Sequence, residues 1–492
     1  MRFFKRLQTA KDIWFVIGIS VFFFLLRLPS FFEPYWYGDE GIYEVIGFAL
    51  RHGRLLYRDI WDNKPPLLYL IYALFDGSQS PVRIFSFLVG IISIILFLFL
   101  AKKLFSNKWT VYTVTTIFTI LLGLPLIEGN IANAENFMIL PSVGAALLVI
   151  SLVEDKLSKK KQQIFLALAG ISLGLSLLTK IVAVFDVAAF WVFIFIVKSE
   201  YQKSFIKLVK EAINFSLIFI SSFLLPLFIT LIFFATQGAF KLFLQSSFFS
   251  NIGYVNYGNQ FIIPQGLLVV KLILLFAFCI FLFFKKKLFS KTQLFIFIWL
   301  SFSLFSALFS QRPYTHYMLV AIASFSLFAG FLLEKGKMRI VYSLIFIGII
   351  IFAWKNFWFY DKSFSYYANF AKYTVGVENT IQYQSFFDKV TPRDYGIVEY
   401  LNTVRKENDP IFVWGNSAQI YRLLNVMPPG KYTVAYHITS TPSTIKETQN
   451  SLIHSMPKYV IILQNAETMP YQLKHYSLKV QIDNAIIYER IY

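Results

Sequence analysis

Apolar residues along this chain come in long runs, many broken only by Ser, Gly or Tyr. Such runs match the roughly 20 residues a helix needs to cross a bilayer core of about 30 Å. Eleven spans are predicted, at approximately 13–29, 82–101, 109–127, 136–153, 163–179, 181–198, 212–235, 265–284, 294–310, 314–333 and 339–358. Only Thr179-Lys180 separates the fifth from the sixth, so a tight turn is expected there. In the loop at 30–81, Ile42, Val45, Ile46, Ala49 and Leu50 share one helical face, as do Leu67, Leu68, Ile71, Leu74 and Phe75. Two amphipathic helices on the outer membrane surface are expected, with Pro65 in the first turn of the second. Beyond about residue 359 the chain turns polar and has no spanning run. There Ile411–Trp414 and Tyr459–Leu463 read as buried strands, and the periodic segments 392–406 and 443–454 as helices. This alternation predicts a small α/β domain. The expected architecture is a polytopic α-helical membrane protein, with a transmembrane domain over 1–359 and an extracytoplasmic α/β domain over 360–492. No internal repeat is apparent, which weighs against inverted-repeat transporter folds.

Charge adds direction. The chain has 492 residues, of which 57% are hydrophobic and only 15% charged, yet its net charge is +19. In a soluble protein that excess would point to nucleic acid. Here Lys and Arg fall in short clusters between apolar runs: Arg2 to Lys11, Lys102 to Lys108, Lys156 to Lys161, Lys198 to Lys210, Lys285 to Lys291, and Lys335 to Arg339. These basic segments alternate with acidic, mixed or nearly uncharged ones. The positive-inside rule makes the basic ones cytoplasmic, the N-terminus included. The loops at 30–81, 128–135 and 236–264, the segment Ser310–Tyr314 and everything after about 359 are then expected outside. The first apolar run lacks a small-residue cleavage site and reads as an uncleaved helix. The single cysteine, Cys279, excludes a disulfide framework and a Cys-based metal site. The one glycosylation sequon, Asn214-Phe215-Ser216, lies at an expected cytoplasmic boundary, which favours a prokaryotic plasma membrane.

Candidate chemistry concentrates in the first outer loop. It reads Tyr37-Gly38-Asp39-Glu40-Gly41-Ile42-Tyr43, then Tyr57-Arg58-Asp59-Ile60-Trp61-Asp62-Asn63-Lys64-Pro65-Pro66-Leu67. Asp39 and Glu40 follow the first span directly. Lys64 opens a helix, where a cation and free backbone N–H groups can together meet a phosphate. The pattern resembles the GT-C glycosyltransferases of the dolichyl-phosphate-mannose protein mannosyltransferase and aminoarabinose transferase type. Weaker echoes are Leu26-Arg27-Leu28-Pro29, Glu135-Asn136, Leu178-Thr179-Lys180, and Arg312 to His316-Tyr317. The resemblance covers roughly the first 360 residues.

The resemblance implies inverting transfer of a sugar from a polyprenyl monophosphate to an acceptor hydroxyl on a lipid, glycan or protein. It places Asp39 as general base, with Glu40 beside it. The leaving phosphate needs positive charge rather than an acid, for which Lys64, Arg312, His316 and Lys180 are the candidates. Glu135, Arg58, Asp62 and Tyr317 are further candidates.

Plainer readings stand beside these. Asp39 and Glu40 also suit a helix N-terminus through the dipole, and Lys64 could snorkel. Glu135 could cap its span, and Arg312, His316 and Lys180 could be interfacial anchors. Asp186, inside the sixth span, could pair with Lys180 or face a polar cavity. Tyr254, Asn256, Tyr257 and Asn259 suit either a wet loop or a lid. A divalent cation on Asp39 and Glu40 is only weakly supported, since no His/Cys cluster has ligand spacing. The alternatives in function are a ligase or polymerase using a pyrophosphate-linked donor, a transporter, and an assembly scaffold. Against transport, nearly all charges sit at the ends of spans.

Overall fold

The computed structural model describes residues 10–200, 204–251, 267–309, 312–334, 336, 338–464 and 468–491. The cluster at Tyr254 to Asn259 lies outside them. The first nine helices considered are α1 (Ala10–Arg27), α2 (Gly38–Arg51), α3 (Pro66–Leu74), α4 (Gln79–Leu104), α5 (Lys108–Gly123), α6 (Ala134–Glu154), α7 (Lys159–Thr179), α8 (Val184–Glu200) and α9 (Phe205–Thr236). The chain divides into two compact units. One is the membrane unit, 1–28, 85–236 and 249–363; the other comprises 29–84, 237–248 and 364–492. The second unit thus joins the motif loop to the C-terminal segment.

Among the described residues, nine helical stretches are long and apolar enough to cross a membrane. The remaining two of the eleven expected spans are also helical but shorter: α5 has 16 residues and Lys291–Ala307 has 17. Both are bounded by polar N-caps, Asn107 and Ser290, whose side chains accept from the first-turn N–H groups. The chain is a multi-pass membrane protein. The basic segments meet one another: Lys102 Nζ lies 2.8 Å from Asp12 Oδ1, and Lys103 Nζ 2.8 Å from Asp155 Oδ1. The opposite set also meets: Trp358 N–H donates to the Pro313 carbonyl at 2.8 Å, and Lys180 pairs with Glu135. The span ends joined by these contacts fall in the groups that charge predicts for them.

In the second unit α2 and α3 pack closely, because Gly47 brings its backbone against Tyr72; a Cβ there would stand 2.6 Å from Tyr72 Cβ. α2 is buried on nearly every face. α3 buries Leu68, Tyr69 and Tyr72 but leaves Leu70 and Leu74 exposed, an apolar edge suited to lipid. The turn after α3 depends on Gly77, at φ +65°, whose Cα abuts the Glu44 carbonyl. The C-terminal segment forms the expected strands β1 (Ile411–Trp414) and β2 (Tyr459–Leu463), paired in parallel. It also forms the helices Thr391–Val404 and Pro442–Ser455, close to expectation. A hairpin not anticipated, β3 (Tyr476–Ile482) and β4 (Ala485–Arg490), completes a sheet of order β1-β2-β4-β3. Trp414 and Ile438 sit fully buried in its core.

Candidate active site

Tyr37, in extended backbone, precedes α2, so Asp39 and Glu40 occupy its first turn. Successive residues on a helix point about 100° apart, and the two carboxylates separate accordingly. Glu40 is buried against Arg83, whose Nε donates to Oε1 at 2.9 Å. Arg83 also lies 2.9 Å from Glu33 Oε2 and donates to the Ser30 carbonyl at 2.7 Å. Tyr366 Oη donates to Glu33 in turn. This is a buried lattice of charges with hydrogen bonds at every member, the form in which buried charge is tolerated.

Asp39 faces outward, with 35% of its side chain exposed. Its Oδ2 accepts from Tyr43 Oη at 3.0 Å and faces Lys64 Nζ at 3.4 Å. Lys64 stands just before α3, which Pro65 caps. Its Nζ is also 3.8 Å from Asp62 Oδ2 and 4.7 Å above the Tyr43 ring. Asp62 is buried; it accepts from Tyr69 Oη at 2.6 Å and from the Asn63 N–H at 2.7 Å. Tyr57, at φ +68°, donates to the Lys64 carbonyl at 2.7 Å and accepts from Ser247 Oγ at 2.8 Å, which fixes the loop. Burial raises both the Tyr57 and the Tyr69 phenols well above their ordinary range, so each stays a donor.

His437, from the short helix Ala435–Ile438, completes this group without any signal in the sequence. Its Nε2 lies 3.8 Å from Asp62 Oδ1, and its ring stands edge-on to Trp61 at 4.9 Å. Burial pushes the imidazole down to about 4 despite the opposing charge of Asp62, so it is neutral near pH 7. Arg58, in contrast, is exposed and pairs with its neighbour Asp59.

The membrane unit carries a second group. Glu135 is buried in the first turn of α6 and pairs with Lys180, which ends α7. Lys180 Nζ lies 4.5 Å above the Tyr317 ring. His316 Nε2 is 4.0 Å from Glu135 Oε1, and its Nδ1 is 3.0 Å from Glu128 Oε2. Glu128 was not anticipated, although it is the first acid after the third span. It also accepts from Thr315 Oγ1 at 2.9 Å and Asn133 Nδ2 at 3.2 Å. Arg312 lies 6.0 Å from the Tyr314 ring, which stacks on His316. The structure thus gathers Glu135, Lys180, His316 and Tyr317. Asp186 accepts from Trp299 Nε1 at 2.9 Å and lines a water-sized cavity beside Ser142, while Lys180 is committed to Glu135. Among the described residues, no three His, Cys, Asp or Glu side chains are grouped to hold a metal ion.

A crystal structure of ArnT from Cupriavidus metallidurans in the apo state superposes with a TM-score of 0.59 at 11% identity, covering 98% of both chains. The chain shares the fold of ArnT. The ArnT structure bound to undecaprenyl phosphate matches at a TM-score of 0.57, 11% identity and 98% coverage of both chains. The archaeal oligosaccharyltransferase AglB from Archaeoglobus fulgidus, in complex with an inhibitory peptide and a dolichol-phosphate, gives 0.50 at 11% identity, covering 93% of this chain and 70% of that one. In sequence, residues 57–240 match the family model for dolichyl-phosphate-mannose-protein mannosyltransferase. The match includes Asp62, Lys64, Glu135 and Lys180, whereas Asp39 precedes it. That match covers less than half of the chain, whereas the likeness in fold to ArnT extends over nearly all of it. No curated protein sequence matches the chain.

Proposed function

We propose that this GT-C protein is an inverting glycosyltransferase, moving a sugar from a polyprenyl monophosphate to an acceptor hydroxyl on the extracytoplasmic side of a prokaryotic plasma membrane. The observation that carries the reading is the Asp39 carboxylate, partly open, oriented by Tyr43 and facing the Lys64 ammonium at 3.4 Å. The acceptor oxygen attacks the anomeric carbon, and its proton passes to Asp39. The bond from that carbon to the phosphate oxygen breaks on the opposite face. The electron pair leaves with the polyprenyl phosphate, whose charge Lys64 meets. A phosphate monoester leaves without protonation, so no second catalytic acid is needed, unlike in the paired-carboxylate hydrolases.

In this reading Lys64 does two things in turn. Before the donor arrives it is shared between Asp39 and Asp62. The donor's phosphodiester, singly charged like each carboxylate, competes for its N–H groups, and gains a second charge as the bond to the sugar breaks, which draws Lys64 from Asp39 as the proton is taken up. Buried Tyr69, through its hydrogen bond, holds Asp62 in place beside the neutral His437 ring. Glu40, committed to Arg83, braces α2 rather than taking the proton. On the membrane unit, Arg312, Lys180 and His316, with Tyr317 and Glu135 about them, are the cations on offer to a phosphate. The basic span ends take the cytoplasmic side, which leaves the C-terminal segment outside.

The test is the anomeric configuration of the product, read by NMR after transfer from a 13C-labelled polyprenyl-phosphate sugar. Inversion supports a single displacement assisted by Asp39. Retention, or transfer only from pyrophosphate-linked donors, overturns it.

A further inference from the structure

A cleft of about 510 Å³ opens on the second unit, away from the residues assigned above, lined by Pro429, Glu447, Asn450, Ser451, His454 and Ser455. Five of the six come from the helix Pro442–Ser455 at positions i, i+3, i+4, i+7 and i+8, so the helix geometry alone makes them one stripe. The loop 428–432 forms the other wall. It approaches the helix at Gly430, where a Cβ would sit 3.3 Å from Ser451 Cβ.

Three observations bear on what the cleft takes. First, its charge is balanced. Glu447 Oε2 accepts from Tyr432 Oη at 2.9 Å, and its Oε1 is 3.7 Å from Lys431, so neither an anion nor a cation finds an uncompensated partner. Second, hydrogen-bonding capacity is left over. Ser455 Oγ is buried without a partner, His454 uses only Nδ1, toward the Asn450 carbonyl at 2.7 Å, and the Asn450 amide has no hydrogen bond among the described residues. An amide, a hydroxyl and one imidazole nitrogen offer donors and acceptors side by side. Vicinal hydroxyls of a sugar present the same mixture, and the Pro429 ring offers an apolar surface for a sugar's C–H face. Third, the loop wall is fastened to the motif loop. Arg54 donates to the Pro428 and Gly430 carbonyls at 2.7 and 3.1 Å, and Trp61 N–H donates to the Lys431 carbonyl at 3.0 Å. Trp61 immediately precedes Asp62 and contacts Tyr432 at 5.7 Å, edge-on.

We infer that this cleft binds uncharged sugar residues of a glycan acceptor, holding the part of the acceptor that does not react. The inference rests on the glycosyltransferase reading above. It also assigns that enzyme's acceptor to the carbohydrate class rather than to a peptide or a simple lipid.

The test uses the purified full chain in nanodiscs on a printed array of defined oligosaccharides, neutral and acidic, without donor. Wild type and Asp39→Asn are expected to retain the same neutral oligosaccharides, and Asn450→Ala/His454→Ala to lose them by at least tenfold in apparent affinity. Asn450 and His454 are exposed, and a melting curve matching wild type confirms that the double variant is folded. A Ser455→Ala variant provides an independent loss of about threefold or more. The inference is overturned if no oligosaccharide is retained, if the double variant retains them unchanged, or if only acidic ones bind. Because no donor is present, the result is separate from the transfer assay. Binding that depends on Asn450 and His454 in a chain that transfers no sugar leaves the cleft standing and removes the proposed reaction.

Discussion

Substituting Arg83 by Met tests whether the buried charge lattice holds the helix that carries Asp39. Arg83 is fully buried, and its guanidinium serves Glu33, Glu40 and the Ser30 carbonyl. Methionine fills much of the same volume and supplies no donor, so two buried carboxylates lose their cation at once. Breaking a buried pair by removing one partner costs about 3–5 kcal/mol, because the remaining charge stays desolvated. For a folding unit of roughly 200 residues, each kcal/mol moves the midpoint by about 2–4 °C, so a fall of roughly 6–20 °C is expected. The assay is thermal unfolding in nanodiscs, followed by tryptophan fluorescence. Adding Glu33→Gln and Glu40→Gln to the Arg83→Met protein removes the orphaned charges and is expected to recover at least half the loss. A midpoint for Arg83→Met within about 2 °C of wild type, or a triple variant no more stable than the single, refutes the reasoning.

Further outcomes follow from the same structure. Lys64→Gln is expected to cut transfer by about 10- to 100-fold, the worth of one charge-assisted hydrogen bond of about 1.5–3 kcal/mol, with Lys64→Arg recovering part of it; equal rates for Lys64→Gln and wild type contradict its role at the phosphate. Glu44 is fully buried, neither carboxylate oxygen has a hydrogen-bond partner among the described residues, and burial, with Glu40 adding, holds it well above the ordinary carboxylate range. The folded state then binds the proton that the unfolded chain has already released, so this group's contribution to stability falls as pH rises above about 4.5 toward the folded value. Melting points from pH 5 to 9 are expected to slope downward in wild type and to flatten in Glu44→Gln; parallel curves contradict this. Gly77→Ala forces a Cβ to 2.0 Å from the Glu44 carbonyl at a left-handed φ, and a loss of at least about 1–3 kcal/mol in unfolding experiments is expected.

Much of the fold is legible because the bilayer imposes it. Apolar length marks the spans, and Lys and Arg mark one set of their ends, so helix positions follow from one-dimensional signals, whereas a specific pair such as Lys102 with Asp12 appears only in the structure. The buried strands Ile411–Trp414 and Tyr459–Leu463 stand out as short apolar runs. The hairpin β3–β4 does not, because β3 is mostly solvated and carries Ser477, Lys479 and Gln481, so no apolar run announces it. The motif identifies Asp39 and Lys64, which the structure brings together. Adjacent letters in a motif do not share a direction on a helix, however, and Glu40 turns instead to Arg83. His437 was invisible because nothing local marks it; it reaches Asp62 only through the folding of the C-terminal segment with the motif loop.

In the proposed reaction Asp39 takes the acceptor's proton during transfer from a polyprenyl monophosphate. The direct measurement compares wild type and Asp39→Asn in nanodiscs. A series of radiolabelled polyprenyl-phosphate hexoses and pentoses serves as donors, and a membrane extract as the acceptor pool. Asparagine keeps the size and the hydrogen bond from Tyr43 but cannot accept the proton. The account predicts transfer by wild type and a loss of at least about 100-fold in Asp39→Asn, the scale of general-base assistance, with donor binding retained. Full activity in Asp39→Asn contradicts the account.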